Sequence, residues 1–146
     1  MEPRELLKTI YLFRDASPDD LAAIAAIAEE KSYMLGETIY SSGDISDALF
    51  VIEMGTVDVT LKGKDIAVAS VGSGQALGEM AFFERSQRLA SAVTRESTKA
   101  LRVPYDKLDR VLSGRPDLAL AFYKRACGLL AKELRVIAPD LSRRYF

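Results

Sequence analysis

The stretch Leu49-Phe50-Val51-Ile52-Glu53-Met54-Gly55-Thr56-Val57-Asp58-Val59-Thr60-Leu61 decides the architecture. Two runs rich in β-branched and aromatic residues flank a Met54-Gly55 break. In the second run Val57, Val59 and Leu61 alternate with Asp58, Thr60 and Lys62, the period of two that marks a half-buried strand. The same character extends from about Lys31 to Val103. Further strands are expected near Tyr33–Leu35, Thr38–Tyr40, Ile66–Val71, Leu89–Thr94 and Ala100–Val103. The breaks between them are Leu35-Gly36, Ser42-Gly43-Asp44, Lys62-Gly63-Lys64 and Gly72 through Gly74. Six to eight short strands at this spacing point to an antiparallel sandwich or a jelly-roll barrel.

Outward from this region the apolar period becomes helical. Asp15-Ala16-Ser17-Pro18-Asp19-Asp20 supplies a capping serine, a proline at the first helical position and acids in the first turn. Leu21, Ile24, Ala25, Ile27 and Ala28 then give one apolar face on a helix running to about Glu30. Before it, Leu6, Leu7, Ile10, Leu12 and Phe13 suggest a short helix and turn on the same core. After Pro104, Tyr105–Leu112 reads as a helix stopped by Ser113-Gly114. Asp117–Ile137 follows as a long one with a stripe of Leu118, Phe122, Leu129, Leu130, Leu134 and Ile137, closed by Pro139.

Composition excludes more than it suggests. The chain has 146 residues, 20 Lys+Arg against 21 Asp+Glu, one Cys and no His. Without histidine there is no Ser-His-Asp or Cys-His nucleophile system, and no His-based zinc or iron site. A charge balance of −1 gives no footprint for general nucleic-acid binding. The lone Cys127 fits a reducing, cytoplasmic setting and a structural role. No apolar run approaches the ~18 residues of a membrane span, and Met1-Glu2-Pro3-Arg4 does not open a signal peptide. Gly72-Ser73-Gly74 followed by Gly78 is one residue too long for a dinucleotide fingerprint and lacks a βαβ setting. No catalytic residue, metal ligand or cofactor is expected. The nine residues from Ala138 are too few for a helix-turn-helix reader, and Arg143-Arg144-Tyr145-Phe146 reads as a solvated tail.

The chemistry concentrates in Gln75 to Val93. Gly78-Glu79-Met80-Ala81 opens a short helix-like insert between strands, and Arg88 lies ten residues after Gly78. Unpaired amides at such a turn suit an anion, and Gly78 allows close approach to the backbone. Glu79 can accept from ribose hydroxyls, and Arg88 can offer two parallel donors to phosphate oxygens. The bland alternative is two ordinary surface charges.

Gly78-Glu79-Met80-Ala81 with Arg88 resembles the phosphate-binding cassette of cyclic nucleotide-binding domains, a family that includes kinase regulatory subunits and catabolite-activator regulators. Gly36-Glu37-Thr38-Ile39-Tyr40 with Gly43-Asp44, and Asp47-Ala48-Leu49-Phe50-Val51-Ile52 with Gly55, resemble that family's early strands. The resemblance runs from about residue 6 to 137. It implies an α+β fold: a jelly-roll β-barrel (a double-stranded β-helix) with N-terminal helices and two C-terminal helices. In one domain, 1–146, the helical segment is then 1–30, the barrel 31–103, the cassette 77–91 and the closing helices 104–138.

Carried over by position, the resemblance gives Gly78 and Glu79 to the ribose, and Arg88, Met80, Ala81 and Leu89 to the phosphate. Asp47 becomes the acid that pairs with Arg88. Val59, Val68, Val71, Leu77 and Ser91 fall where the base pocket is walled, a role that core packing competes for. Two positions depart from the pattern: Leu89 stands where a small or hydroxylated residue is usual, and Gln87 where proline often precedes the arginine. Without a hydroxyl at Leu89, cyclic AMP is expected over cyclic GMP. The implied function is a non-catalytic cyclic nucleotide receptor acting in signal transduction by repositioning its C-terminal helix on a downstream protein. The other reading is a nucleotide-free dimerisation or docking module. The 117–137 stripe is expected either to join a second copy or to cap the barrel.

Overall fold

Helix α1 (Pro3–Thr9), a 3₁₀ turn (Tyr11–Phe13) and α2 (Pro18–Ile27) precede eight short strands in a computed structural model that describes residues 1–61, 63 and 66–139. The strands are β1 (Glu29–Tyr33), β2 (Thr38–Tyr40), β3 (Ala48–Met54), β4 (Val57–Leu61), β5 (Ala69–Val71), β6 (Ala76–Leu77), β7 (Ala90–Thr94) and β8 (Thr98–Pro104). Helix α3 (Ala81–Glu84) interrupts them between β6 and β7, and α4 (Tyr105–Ser113) and α5 (Pro116–Ile137) follow. Lys62 and Lys64 of one expected break, and the closing Arg143–Phe146, lie outside the described residues.

All strand pairs are antiparallel, in two four-stranded sheets ordered β1-β8-β3-β6 and β2-β7-β4-β5. Of the two expected forms, sandwich and jelly-roll barrel, the sheets make a jelly-roll-like sandwich: among the described residues no ladder joins one sheet to the other. Met54-Gly55 marks the place where the chain passes between sheets. Gly55 has φ +103, and a Cβ there would run into the backbone of Ser97 and Thr98.

Strand β3 explains how two cores arise from one run. Its first five residues are all buried. Leu49 and Val51 face one cluster; Ala48, Phe50 and Ile52 face the other. The second cluster fills the sandwich with Val57, Leu77, Ala92 and Ala100. The first joins the outer face of the β1-β8-β3-β6 sheet to Leu6, Leu7, Phe13, Leu21, Ile24, Leu108 and Phe122 from the helices. A strand covered on both faces reads as a continuous apolar run, which is what Leu49–Ile52 is.

The helix starts follow the sequence closely. Ser17 caps α2 in a reciprocal box: the Asp20 amide donates to Ser17 Oγ at 3.0 Å, and the Ser17 amide to Asp20 Oδ2 at 3.2 Å. The strand boundaries follow less well. The first strand runs over Glu29–Tyr33 rather than Tyr33–Leu35, because it is an edge strand pairing only with β8 and needs no apolar alternation. Met34 and Leu35 are exposed in the turn before Gly36. Ile66–Val71 shortens to Ala69–Val71, with Ile66 exposed. Two-residue β6 has no sequence signature at all.

Helix α5 divides in two. Leu118, Phe122 and Ala126 are buried at intervals of four, whereas Leu130, Leu134 and Ile137 are exposed. The first half caps the fold; the second half projects its stripe outward. Phe122 is the hinge of the packing. Its ring centroid lies 5.5 Å from that of Phe13 and 5.6 Å from those of Phe82 and Phe83. Phe122→Ala is expected to cost about 3–5 kcal/mol, read as a fall in the urea midpoint at unchanged slope. A loss under about 1 kcal/mol would contradict this packing account.

Candidate functional site

Arg88 is held by its backbone before its side chain does anything. Its amide donates to Asp44 O and its carbonyl accepts from the Gly43 amide, both at 2.8 Å, while the Ser46 amide reaches Ser86 O at 3.3 Å. This ladder between residues 43–46 and 86–88 aims the side chain inward, where the residue is only 6% exposed. Nη2 donates to Ala48 O at 2.6 Å and Nη1 to the Tyr105 hydroxyl at 3.3 Å. The guanidinium carbon sits 4.0 Å from the centroid of the Tyr40 ring. Nε is buried with no partner. Among the described residues no carboxylate forms an ion pair with this group.

Gly78 makes room for it. The Tyr105 hydroxyl donates to Gly78 O. A Cβ at Gly78 would strike Arg88 Nη1 and come to 3.2 Å from Ala48 O, and φ there is +77. The residue opening the cassette is thus glycine on two independent grounds, conformation and space.

A cavity of about 340 Å³ opens beside Arg88, lined among others by Tyr40, Gly78, Met80, Ala81, Leu89 and Leu130. Leu89, one residue before β7, is 82% exposed, so its bulk stands at the rim and not across the guanidinium. Leu130 brings α5 into the same wall. Helix α3 is a single turn, with Met80 as its N-cap. Tyr40 and Tyr105 are both pushed above the usual phenol range, chiefly by burial, so they remain neutral partners.

Glu79 is not in that cavity. It lines a neighbouring cleft of about 330 Å³ with Tyr11, Leu12, Arg14 and Leu129. Burial raises its carboxyl above the ordinary range, Glu133 of α5 adds to the rise, and its own amide and Arg88 oppose it. Arg85 closes α3 in the left-handed region, φ 56, and its guanidinium pairs with Asp106 and Asp109 of α4 while lying 4.7 Å from the Phe82 centroid.

Asp47 corrects an expectation: it does not meet Arg88 but accepts from Arg102 Nη2 at 3.0 Å. Arg102, on β8 with Glu29 as a second partner, offers the nearer cation, so Arg88 is left with neutral partners alone. Val59, Val71 and Leu77 pack into the sandwich core. Val68 is exposed at the outer end of the β4–β5 connection, where its amide donates to Val59 O. Ser91 Oγ accepts from the Ser42 amide at 2.9 Å, and neither Val68 nor Ser91 lines either cavity that borders Arg88. Sequence reasoning missed Tyr40, Tyr105 and Leu130. An aromatic at a strand end or helix start carries no mark that separates packing from a role beside a cation.

A jelly-roll sandwich with a glycine-opened cassette around a buried arginine is the frame of a small-ligand regulatory module. The chain belongs to the cyclic nucleotide-binding domain family, whose model matches residues 30–115. Its relatives include glutaminase 1 of Bradyrhizobium diazoefficiens, 32% identical over 86% of this chain and 20% of that protein. A cAMP-dependent protein kinase regulatory subunit of Aspergillus niger is 30% identical over 77% of this chain and 27% of its own length. The crystal structure of Thermus thermophilus catabolite activator protein superposes with a TM-score of 0.76 at 26% identity, covering 90% of this chain and 62% of the other. The chain thus spans about a fifth to a quarter of the two curated relatives. Among the described residues no helix is long and apolar enough to cross a membrane, and no group of three acids or cysteines is placed to hold a metal ion.

Gly78→Ala is expected to destabilise the protein by about 1–3 kcal/mol through backbone strain, plus the cost of displacing Arg88. Gly36→Ala, with φ +82 and open space around it, carries the strain alone. Urea denaturation of the two should separate them; equal losses would mean the Arg88 contact contributes nothing.

Proposed function

We propose that the chain is a non-catalytic receptor for a cyclic nucleotide, with Arg88 taking the phosphate. The observation that carries this reading is the buried guanidinium with an orphaned Nε and, among the described residues, no ion-paired acid. A buried charge without a counter-ion is costly, and a ligand anion removes that cost. Charge-assisted bonds from Arg88 then hold the phosphate, with backbone at Met80 and Ala81 beside it. Glu79, now in the adjoining cleft, accepts from the ribose only after turning toward the Arg88 cavity. Leu89 at the rim and Leu130 from α5 offer apolar contact to a base, and neither can satisfy a guanine amine, which favours cyclic AMP. The name of the cAMP-dependent protein kinase regulatory subunit supports the same ligand class. No cofactor or metal enters this reading, and its setting is cytoplasmic.

The signal leaves through aromatic packing. Phe82 and Phe83 of α3 rest on Phe122 of α5, and Phe83 also meets Tyr123 at 5.9 Å. A cassette that closes on phosphate must therefore repack α5, and the ligand shifts the helix only by its differential affinity for the two arrangements. The exposed side chains Leu120, Tyr123, Cys127, Leu130, Leu134 and Ile137 alternate in steps of three and four, the spacing of a two-helix seam. A second copy of the chain is the occupant this stripe fits, leaving the downstream partner to read the paired helices.

Calorimetric titration of ligand-stripped protein should show binding of cyclic AMP, tighter than cyclic GMP. Arg88→Lys keeps the charge but loses the fork, and should weaken binding by roughly 1.5–3 kcal/mol. Leu89→Thr should gain relative affinity for cyclic GMP. No binding of either nucleotide would leave the docking-module reading; an unchanged Arg88→Lys affinity would remove Arg88 as the phosphate ligand. Sedimentation equilibrium should give a dimer that Leu134→Glu converts to a monomer, and a monomeric wild type would discard the seam.

A further inference from the structure

Tyr105 stands where strand β3, the cassette and α4 meet. It is the first residue of α4 and is 1% exposed. Its amide donates to Asp47 O at 2.8 Å, so the helix starts against the residue that precedes Ala48, whose carbonyl takes Arg88 Nη2. Its ring meets Phe82 of α3 edge to face, centroids 5.4 Å apart, and the Arg85 guanidinium lies 5.0 Å from its centroid. Backbone and ring are both anchored, and together they set the hydroxyl. There it accepts from Arg88 Nη1 at 3.3 Å and donates to Gly78 O.

We infer that Tyr105 is the positioning residue of the phosphate site: its hydroxyl ties the Arg88 guanidinium to the backbone at Gly78, so that the cation and the cassette that receive the anion are fixed relative to each other. The inference rests on Arg88 being the phosphate ligand. It gives to a neutral phenol the part that Asp47 was expected to play. Asp47 engages its carboxylate with Arg102 and offers this site only its carbonyl.

The exchange has a physical consequence. An ion-paired acid would orient Arg88 but also offset the charge that a phosphate needs. A phenol orients the guanidinium and leaves that charge in place. Burial raises the Tyr105 phenol above its usual range against the pull of Arg88, so the hydroxyl keeps the proton it donates to Gly78 O. The two bonds run in one direction, from the cation through the hydroxyl to the carbonyl, and each polarises the next. Removing the oxygen therefore loosens both. Ala48 O still accepts from Nη2 and Tyr40 still covers the guanidinium, so Arg88 stays held on the sandwich side but loses its tie to the cassette.

The test is a double-mutant cycle on cyclic AMP affinity, measured by calorimetry on the 146-residue chain. Tyr105→Phe keeps the ring and removes the oxygen. It should weaken binding by about five- to tenfold, with a urea transition that shows a folded protein. In the Arg88→Lys background the same substitution should cost less than about twofold, because an ammonium has no second nitrogen to engage the hydroxyl. Tyr105→Met, a second variant without a hydroxyl, should give the same coupling. Proton–nitrogen NMR of the ligand-free protein adds a readout that ring packing does not move. The Arg88 Nε–H resonance, assigned by its loss in Arg88→Lys, should shift in Tyr105→Phe. An unchanged affinity, an equal loss in both backgrounds, or an unmoved resonance overturns the inference, while binding of cyclic AMP by wild type keeps the receptor reading intact. Absence of cyclic AMP binding by wild type overturns the receptor reading and this inference with it.

Discussion

A guanidinium shut away from water, with no ion-paired acid among the described residues, is the constraint around which this site is arranged. The described neighbours of Arg88 meet that charge with neutral groups. Ala48 turns a carbonyl toward it, Tyr40 lays an aromatic face over it, and Tyr105 supplies a hydroxyl that also ties down Gly78. Neutral partners solvate a cation only in part, and Nε of Arg88 is left without one. The acid that could have met it, Asp47, is engaged with Arg102 on the sheet.

From this point the fold extends in two directions. Inward, the 43–46 and 86–88 ladder joins the arginine to the sandwich. Outward, the single-turn α3 transmits its position by rings, with Phe82 against Tyr105 and Phe122, and Phe83 against Phe122 and Tyr123. Arg85 adds an electrostatic tie from the same turn to Asp106 and Asp109 of α4. These rings pack the cassette directly against α5. The helix is anchored at Leu118 and Phe122, and its apolar side chains Leu130, Leu134 and Ile137 are exposed.

Elements whose identity depends on local chemistry were legible in the residues. Ser17-Pro18 with Asp20 announced α2, Pro116 and the apolar period announced α5, and Val57–Leu61 announced β4 by its alternation. Gly78, Glu79 and Arg88 were singled out together by spacing and family resemblance; the fold brings Gly78 and Arg88 to one cavity and Glu79 to the neighbouring cleft. What failed did so for physical reasons. Edge strand β1 pairs through its backbone and can be built from Glu29-Glu30-Lys31-Ser32, so no side-chain pattern betrays it. The two-residue β6 is a product of its neighbours. Ile66 and Val68 are β-branched yet lie exposed, because propensity does not supply a partner strand.

The sequence alone determined the succession of a helical, a strand-rich and a second helical region, the absence of histidine and the residues available to hold an anion, since each follows from side-chain type and near-neighbour spacing. Tertiary structure alone decided which charges meet. Asp47 lies 41 positions before Arg88 and 55 before Arg102, and only the β3–β8 pairing gives it to the second. The same folding puts Glu79 in a cleft with Leu129 of α5 while Arg88, nine residues on, faces a different cavity. Electrostatic pairing depends on distance and burial in three dimensions, and neither is a property of the chain until the sheets have closed on each other.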